Sequence, residues 1–506
     1  MFARTFHPDE ANQAFTTGRL LETGRYEYRP DDHHGPTLYY AAAAIQKATG
    51  HGTLATMDGT LLRCTPLLFA VLALMFGFLA IRKLIKPAMG TLGGWLVPAL
   101  FVLLLGTSPL YIFFATDFIQ EMLLACFTMM MFWASVGYIC PGKRWKPGTW
   151  ALLFGIAAGL AFATKETSLL TFAAAGTAGL ILKSLDVLTR PKAINDFKDF
   201  KVFNSRDVIL ASAGFFLTAV LFFSSFAANW QGVYNAFIAA PLSYLGRAAG
   251  SAASTGAADH IHPWWQYFKW LFCHDWRFSA LPLAALFLVT FSRRSIIHIY
   301  ALVLFALYSV IPYKTPWCAL QLLVPIVLAP FLVPMTRART FIVLPLVVLS
   351  LTANIIGCST LVHDPDSKEI PYNYASASPE VQQLAATVAA AMSATNNPPI
   401  PKSPNPPIPQ SSNPPIPKSH NPPAFIAVAL PPADTWPFPW YNRPYEPQTG
   451  YWTSFDDLKR LAAGGVKPTV VIVPMTEGHL VQPLFPHLKN TKRFYMRPGV
   501  RVRVFW

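Results

Sequence analysis

Apolar residues fill the first 357 positions of this chain in long blocks separated by short polar or basic stretches. A helix of roughly 17 to 25 apolar residues crosses the ~30 Å hydrocarbon core of a bilayer. Hydropathy predicts about ten such spans, at 61–81, 92–112, 118–140, 149–164, 168–183, 207–228, 277–291, 296–312, 318–335 and 340–357, several of them short. The basic residues between them fall in alternate loops: Arg82, Lys83 and Lys86; Lys143, Arg144 and Lys146; a cluster from Lys183 to Arg206; Arg293 and Arg294; Arg337 and Arg339. Lys and Arg accumulate on the cytoplasmic side, so these loops read as cytoplasmic. Residues 1–60, Asp117, Lys165-Glu166, the 229–276 loop, Tyr313-Lys314 and everything after 358 then lie outside. With 1–60 outside and no apolar stretch ahead of Phe2, the expectation is that a first span has been lost from the chain start.

Past the last span the pattern changes. Residues 393–423 carry an octapeptide repeat in which Asn397, Asn405, Asn413 and Asn421 each open an Asn-Pro-Pro unit, a composition that favours extended polyproline over a packed core. Short β-branched runs at Ala424–Leu430 and Thr469–Val473, with helical spacing at Phe455–Ala463 between them, predict a small α/β domain. The aromatic run Trp436-Pro437-Phe438-Pro439-Trp440-Tyr441 reads either as a platform for sugar faces or as packing against the membrane surface. The organisation is thus an extracytoplasmic first loop at 1–60, a multi-span domain at 61–357, a connector at 358–392, the Pro-rich linker at 393–423 and an extracytoplasmic α/β domain at 424–506.

Composition narrows the classes. Of 506 residues 53% are hydrophobic and 13% charged, and the mean hydropathy is +0.36, which excludes an ordinary soluble domain. The net charge of +15 is spread over loops rather than gathered in one patch, which argues against a nucleic-acid partner. The six cysteines include no CxxC pair, and Cys64, Cys126, Cys140 and Cys318 sit in or at the ends of spans, so they predict neither a disulfide scaffold nor a zinc site.

The candidate chemistry lies on the predicted outer side. Asp9 and Glu10 stand in His7-Pro8-Asp9-Glu10, and Asp117 opens the span that carries Glu121 one helical turn later. Two carboxylate sites suit a reaction in which one deprotonates an acceptor hydroxyl and the other orients it, or in which both share a divalent cation. Capping of a helix amino terminus is the competing role for Asp117. Lys165 and Lys314 suit a lipid-linked phosphate leaving group; snorkelling to headgroups is their alternative. His33 and His34, followed by Gly35-Pro36 and Tyr39-Tyr40, form a further polar cluster from which one histidine reaches a site, and no third or fourth ligand supports zinc.

These residues resemble a family. His-Pro-Asp-Glu at 7–10, Tyr26-Glu27-Tyr28 leading to His34-Gly35-Pro36, Ser108-Pro109 before Asp117, Lys165-Glu166-Thr167 and Pro312-Tyr313-Lys314-Thr315-Pro316-Trp317 are similar to the polytopic GT-C glycosyltransferases. Within them they look most like the dolichyl-phosphate-mannose-protein mannosyltransferase-like branch of flippase-activity-associated proteins. The resemblance covers about residues 1–375. It implies an all-α membrane domain of GT-C type and inverting transfer of a sugar from a polyprenyl-phosphate donor to a glycan, lipid or protein acceptor. The face would be periplasmic, on a bacterial inner membrane. Asp9 matches the family's first-loop acid, with Glu10 its neighbour and Asp117 the second-loop acid; Lys165 and Lys314 would hold donor phosphate, and His34, Glu121, Tyr313 and Trp317 would bind substrate.

Two other classes compete. A flippase would move a lipid-linked sugar without chemistry, but it would want polar groups near the midplane, and no inverted repeat relates the two halves of this sequence. A noncatalytic scaffold for envelope assembly would follow if the first span is truly absent.

Overall fold

The computed structural model of the protein describes residues 4–29, 34–141, 145–189, 204–243, 260–333, 337–365, 367, 369–373, 377–394 and 425–506, without the side chains of 86–91, 186–189, 337–338 and 433. His33, Lys143, Arg144, most of the Lys183 to Arg206 cluster and the Asn-Pro-Pro repeat lie outside the described residues. The chain forms two compact units, Met1–Phe2 and Thr23–Ala48 with Asp58–Tyr372, and Ala3–Glu22 and Thr49–Met57 with Asn373–Trp506.

The first unit is helical. Gly59–Ile85, Glu121–Ile139, Ser168–Leu185, Ser205–Phe223 and Arg339–His363 are long and apolar enough to cross a membrane, and Leu92–Gly106 with Pro109–Ala115 is a sixth if that pair, bent by 72°, counts as one span. All ten predicted blocks are helical over much of their length, but the remaining four are shorter apolar helices, Pro147–Phe162, Leu281–Val289, Ile296–Val310 and Pro316–Leu332. The bend has a local cause: Pro109 brings no N–H to continue the preceding helix and instead starts the next one, with Ser108 as its extended N-cap residue.

Residues 59–106 fold back on themselves. A Cβ on Gly77 would lie 2.4 Å from the Phe101 ring, Leu74 reaches Gly106, and the Arg82 guanidinium sits 3.6 Å above Trp95. At this end Lys83 lies 4.4 Å over Trp150, which packs on Trp133 and Trp145 at 5.0 and 4.8 Å, while the Tyr138 hydroxyl donates to Asp207. Three of the predicted cytoplasmic loops therefore meet at one end of the bundle, in a cluster of Trp and basic side chains typical of a membrane interface. Every residue of the helix Ala319–Leu328 is buried, which makes it the axis of the packing.

Helices Pro147–Phe162 and Ser205–Phe223 approach through small residues. A Cβ on Gly155 would lie 1.9 Å from the Ala211 carbonyl oxygen, one on Gly159 2.7 Å from that of Phe215, and one on Gly214 2.8 Å from that of Leu152. Gly155 and Gly159 make a small-xxx-small pattern, which lets two backbones pack by direct contact where no hydrophobic effect draws helices together in lipid.

The second unit is an α/β sandwich. Strands β1 (Ile426–Ala429), β2 (Thr449–Trp452), β3 (Val470–Pro474), β4 (Thr491–Arg497) and β5 (Val500–Phe505) form a sheet in the order β2-β1-β3-β5-β4, parallel from β2 to β3 and antiparallel beyond. The two-residue period of the strands splits their side chains. Ile426, Val428, Val470, Ile472, Val502 and Val504 pack with Leu384 and Val388 of helix Glu380–Ser393. Ala427, Val471, Val473 and Phe505 pack with Leu458 and Leu461 of helix Phe455–Ala463 on the other face. The aromatic run joins this unit's own core: Phe438 and Trp440 are buried, Trp440 stacks on Phe6 at 4.8 Å, Trp436 meets Phe15 edge-on and the Tyr441 hydroxyl accepts from the Phe6 N–H at 2.8 Å. Two of its rings thus pack on Phe6, just ahead of helix Pro8–Thr23, and on Phe15 within it.

Overpacking the glycine contact should unseat the two helices. Gly155→Leu is expected to destabilise the membrane unit by about 1–3 kcal/mol or more, read as a lowered melting temperature in detergent, whereas Gly176→Leu, with open space around its Cβ position, should melt like wild type.

Candidate functional site

A partly open cleft in the first unit, with a cavity volume of about 80 Å³, is lined by His34, Lys165, Glu166, Tyr267, Tyr313, Trp317 and their neighbours. The residues come from segments far apart in sequence, and backbone contacts explain how they meet. The 34–37 segment lies against the end of helix Pro147–Phe162: the Gly35 N–H donates to the Thr164 carbonyl at 3.1 Å and the Thr37 N–H to that of Ala163 at 3.2 Å. A Cβ on Gly35 would lie 2.3 Å from the Ala163 oxygen, so only glycine permits this approach. The Thr37 and Thr164 hydroxyls close the seam at 2.7 Å.

That seam sets His34 beside Glu166. Its Nδ1 lies 2.9 Å from Glu166 Oε2, while the Tyr28 hydroxyl donates to Oε1 at 2.8 Å and the Tyr26 hydroxyl donates to the His34 carbonyl at 2.5 Å. Burial alone would raise the Glu166 carboxyl, but the His34 ring, by charge and hydrogen bond, together with Tyr28, outweighs it and holds the group at about 2.

Lys165, also buried, is ion-paired with Glu121. Burial opposes its charge, yet the Glu121 carboxylate, with Glu166 adding to it, raises its pKa, so it is a fixed cation. Glu121 stands in the first turn of helix Glu121–Ile139, where a carboxylate also faces the helix dipole. Gln321 Nε2 donates to the Glu121 carbonyl at 2.8 Å and Cys318 Sγ lies 4.0 Å from its carboxylate.

The other predicted residues stand elsewhere. Asp117 is buried in a non-helical turn ahead of that helix, whose N-cap residue is Gln120, so Asp117 neither caps it nor shares a helical face with Glu121. Lys314 is not among the cleft-lining residues, although Tyr313 and Thr315 on either side of it are. Its N–H donates to the His260 carbonyl at 2.8 Å and its ammonium to the Ile311 carbonyl. It is only 1% exposed, it has no carboxylate partner among the described residues, and burial lowers its pKa. Asp9 and Glu10 belong to the second unit. There His7 is the N-cap of helix Pro8–Thr23, Pro8 its first residue, and Glu10 Oε2 accepts from the His7 N–H at 3.0 Å in the reach-back half of a capping box. Glu10 is fully buried with Arg4 3.9 Å away; Asp9 keeps 48% of its side chain exposed. Among the described residues no group of three or more His, Cys, Asp or Glu side chains is arranged to hold a metal ion.

The partnership of Glu166 with His34 and Tyr28 escaped the sequence reading, because nothing in local spacing links positions 138 or 132 residues apart. It carries a pH signature. A carboxyl held at about 2, below its ordinary 4.5, contributes stability that is complete above the ordinary value and is lost as pH falls through the folded value. Wild type should therefore melt higher than Glu166→Gln at pH 7, with the gap closing as pH falls from 4.5 towards 2; a gap that is constant with pH would show that Glu166 stabilises without its charge.

No protein-family model and no curated protein matches this chain. Solved structures do. ArnT from Cupriavidus metallidurans matches in its apo state with a TM-score of 0.61 and bound to undecaprenyl phosphate with a TM-score of 0.60, each at 13% identity over 99% of this chain and 94% of that one. The archaeal oligosaccharyltransferase AglB from Archaeoglobus fulgidus, in complex with an inhibitory peptide and a dolichol-phosphate, matches 94% of this chain and 66% of that one at 10% identity and a TM-score of 0.49. The likeness to ArnT is one of fold.

Proposed function

We propose that the chain is an integral membrane glycosyltransferase that moves a sugar from a polyprenyl-phosphate donor to an acceptor on the outer face of the membrane. The observation that carries this reading is the cleft, where a fixed lysine, an oriented histidine, Tyr313 and Trp317 line one cavity in a helical unit. Cations and hydrogen-bond donors in a water-poor site stabilise the charge that a departing phosphate develops, and rings offer a face to a sugar or to lipid. The shared fold with ArnT, solved with undecaprenyl phosphate, supports a lipid-phosphate donor.

In this reading the ten apolar helical blocks all span or enter the bilayer of an inner membrane, with the cleft at its periplasmic side. The acceptor oxygen or nitrogen attacks the anomeric carbon opposite the phosphate. The bond from that carbon to the phosphate oxygen breaks with its electron pair leaving on the phosphate, and configuration inverts. Asp9 takes the acceptor proton; of the two adjacent acids it is the one not engaged in a helix cap. Lys165 faces the phosphate in the cleft, and Lys314, a buried cation with no carboxylate partner among the described residues, supplies a second positive charge to the donor. His34, Tyr313 and Trp317 contact the sugar-phosphate, Glu121 holds Lys165, and Asp117 orients the acceptor. The mannosyltransferase-like branch remains the model for the donor sugar.

Reconstituted protein should transfer radiolabelled sugar from a polyprenyl-phosphate donor to lipid or peptide acceptors. Asp9→Asn should lower kcat/KM by about 10²–10⁴ with membrane insertion and melting unchanged; wild-type turnover would remove Asp9 from the mechanism. Lys314→Met should raise the donor KM roughly tenfold, about 1.4 kcal/mol, and leave the acceptor KM alone; an unchanged donor KM would make Lys314 a structural residue.

A further inference from the structure

The sheet of the second unit has one face covered and the other only half covered. Phe494, Met496, Val500, Val502 and Val504 of β4 and β5 are buried on the side of helix Glu380–Ser393. On the other side helix Phe455–Ala463, with Val481, Phe485 and Leu488, packs on Val471, Val473 and Phe505, and the apolar cover ends there. Beyond it the register sets Arg503 directly opposite Arg493 and Arg501 opposite Tyr495. Directly opposite residues of an antiparallel pair share a face, and Arg503 also pairs with Val473, which fixes this face as the half-covered one. Arg493 and Arg501 are exposed, and Tyr495 and Arg503 are partly exposed.

This array holds charge that nothing in its surroundings balances. From Gly478 to Trp506 the chain has six basic residues, Lys489, Lys492, Arg493, Arg497, Arg501 and Arg503, and no Asp or Glu. Arg497 pairs with Asp434, whereas the three arginines of the face have no carboxylate partner among the described residues. Glu477 forms no ion pair among them either, although the Arg503 stem packs on the adjacent Gly478. Arg503 Nε donates to Thr491 Oγ1 at 3.1 Å, which keeps its guanidinium on this face. Like charges directly opposite one another destabilise a sheet. Basic residues that protect an exposed edge account for those on β4, the edge strand, but not for Arg501 and Arg503, which stand on β5 between β3 and β4.

We infer that this face docks on anionic lipid headgroups of the bilayer in which the chain is embedded. A planar guanidinium matches phosphate oxygens through parallel hydrogen bonds, so a lipid phosphate supplies the missing negative charge in a geometry that arginine favours. The occupant follows from where the chain holds this unit. The Arg443 guanidinium donates to the Met57 carbonyl at 3.0 Å, and Gly59–Ile85, long and apolar enough to cross a membrane, begins two residues later. Two residues span at most about 7 Å. This unit is therefore tied at the lipid surface, where headgroup phosphates are its most concentrated anion. Docking of this kind does not depend on the transfer chemistry.

The test is photocrosslinking in the full-length protein, reconstituted in nanodiscs of phosphatidylcholine and phosphatidylglycerol in equal amounts. The photoreactive residue p-benzoylphenylalanine replaces Tyr495, and lipid adducts are identified by mass. Phosphatidylglycerol adducts should exceed phosphatidylcholine adducts at least about fivefold, the effect of one basic residue at an anionic surface. Arg493→Gln with Arg501→Gln, both at exposed positions, should abolish the preference with melting unchanged, and Arg493→Lys with Arg501→Lys should keep most of it. Salt at about 1 M, where the Debye length falls to about 3 Å, should remove it as well. The same photoreactive residue in place of Phe216, exposed on helix Ser205–Phe223, serves as the control for lipid adducts in these discs. With that control positive, no adduct at position 495, or adducts in proportion to lipid composition, overturns the inference, as does a preference that survives the glutamine pair. Adducts lost to inorganic phosphate but not to chloride of equal ionic strength make the face a site for a free anion and overturn lipid docking.

Discussion

The ion pair of Lys165 with Glu121 is the constraint on which the membrane unit's site is built. Both groups are buried, and removing one partner from such a pair leaves an isolated charge that costs several kcal/mol. The pair therefore binds the 163–167 loop to the start of helix Glu121–Ile139. Gln321 and Cys318 bring the Pro316–Leu332 segment to the same carboxylate residue. Three segments that share no local sequence signal are thus fixed at one point. The loop so held presents Thr164 and Glu166, and these in turn hold Gly35, Thr37 and His34. A defect at Glu121 would be felt at His34 through this chain of contacts.

The two ends of the helical unit are organised by different physics. At the end with Arg82 and Lys83, cations lie over indole rings, an arrangement that tolerates both water and lipid headgroups. The cleft's charges are instead buried and paired, and its backbone approaches are close enough to require glycine. Flexible basic chains suit a surface, whereas a site for chemistry needs side chains whose positions are over-determined. Between the ends, the Gly155 and Gly159 contact gives helix packing that depends on shape rather than on burial of apolar area.

Much of this was legible in the sequence. The apolar blocks marked the helices, because span length and hydropathy follow from bilayer thickness. The β-branched runs marked β1 and β3, and Lys165, His34, Tyr313 and Trp317 were singled out from motifs before the cleft brought them together. What escaped has physical reasons. Hydropathy does not distinguish a span from a short buried helix such as Ala319–Leu328. Adjacent residues in an extended turn point apart, so Lys314 parted from Tyr313 and Thr315. The aromatic run looked like a surface feature, but its partners, Phe6 and Phe15, lie more than four hundred residues away, where no periodicity could announce them. The Pro-Pro repeat falls outside the described residues and stands as read from composition.

The two acids of His7-Pro8-Asp9-Glu10 show how local rules divide chemically equal neighbours. Pro8 can occupy the first position of a helix because its missing N–H would have had no partner there. That choice fixes His7 as the N-cap and places Glu10 at the third position, from which a glutamate reaches back to the N-cap amide. Glu10 is committed by this geometry, fully buried and 3.9 Å from the Arg4 guanidinium. Asp9, one residue earlier and shorter by a methylene, donates its backbone N–H to His7 Nδ1 and keeps its carboxylate accessible to solvent. Of the two neighbours, Asp9 is therefore the one that presents its carboxylate to solvent, and Glu10 the one that closes the start of the helix.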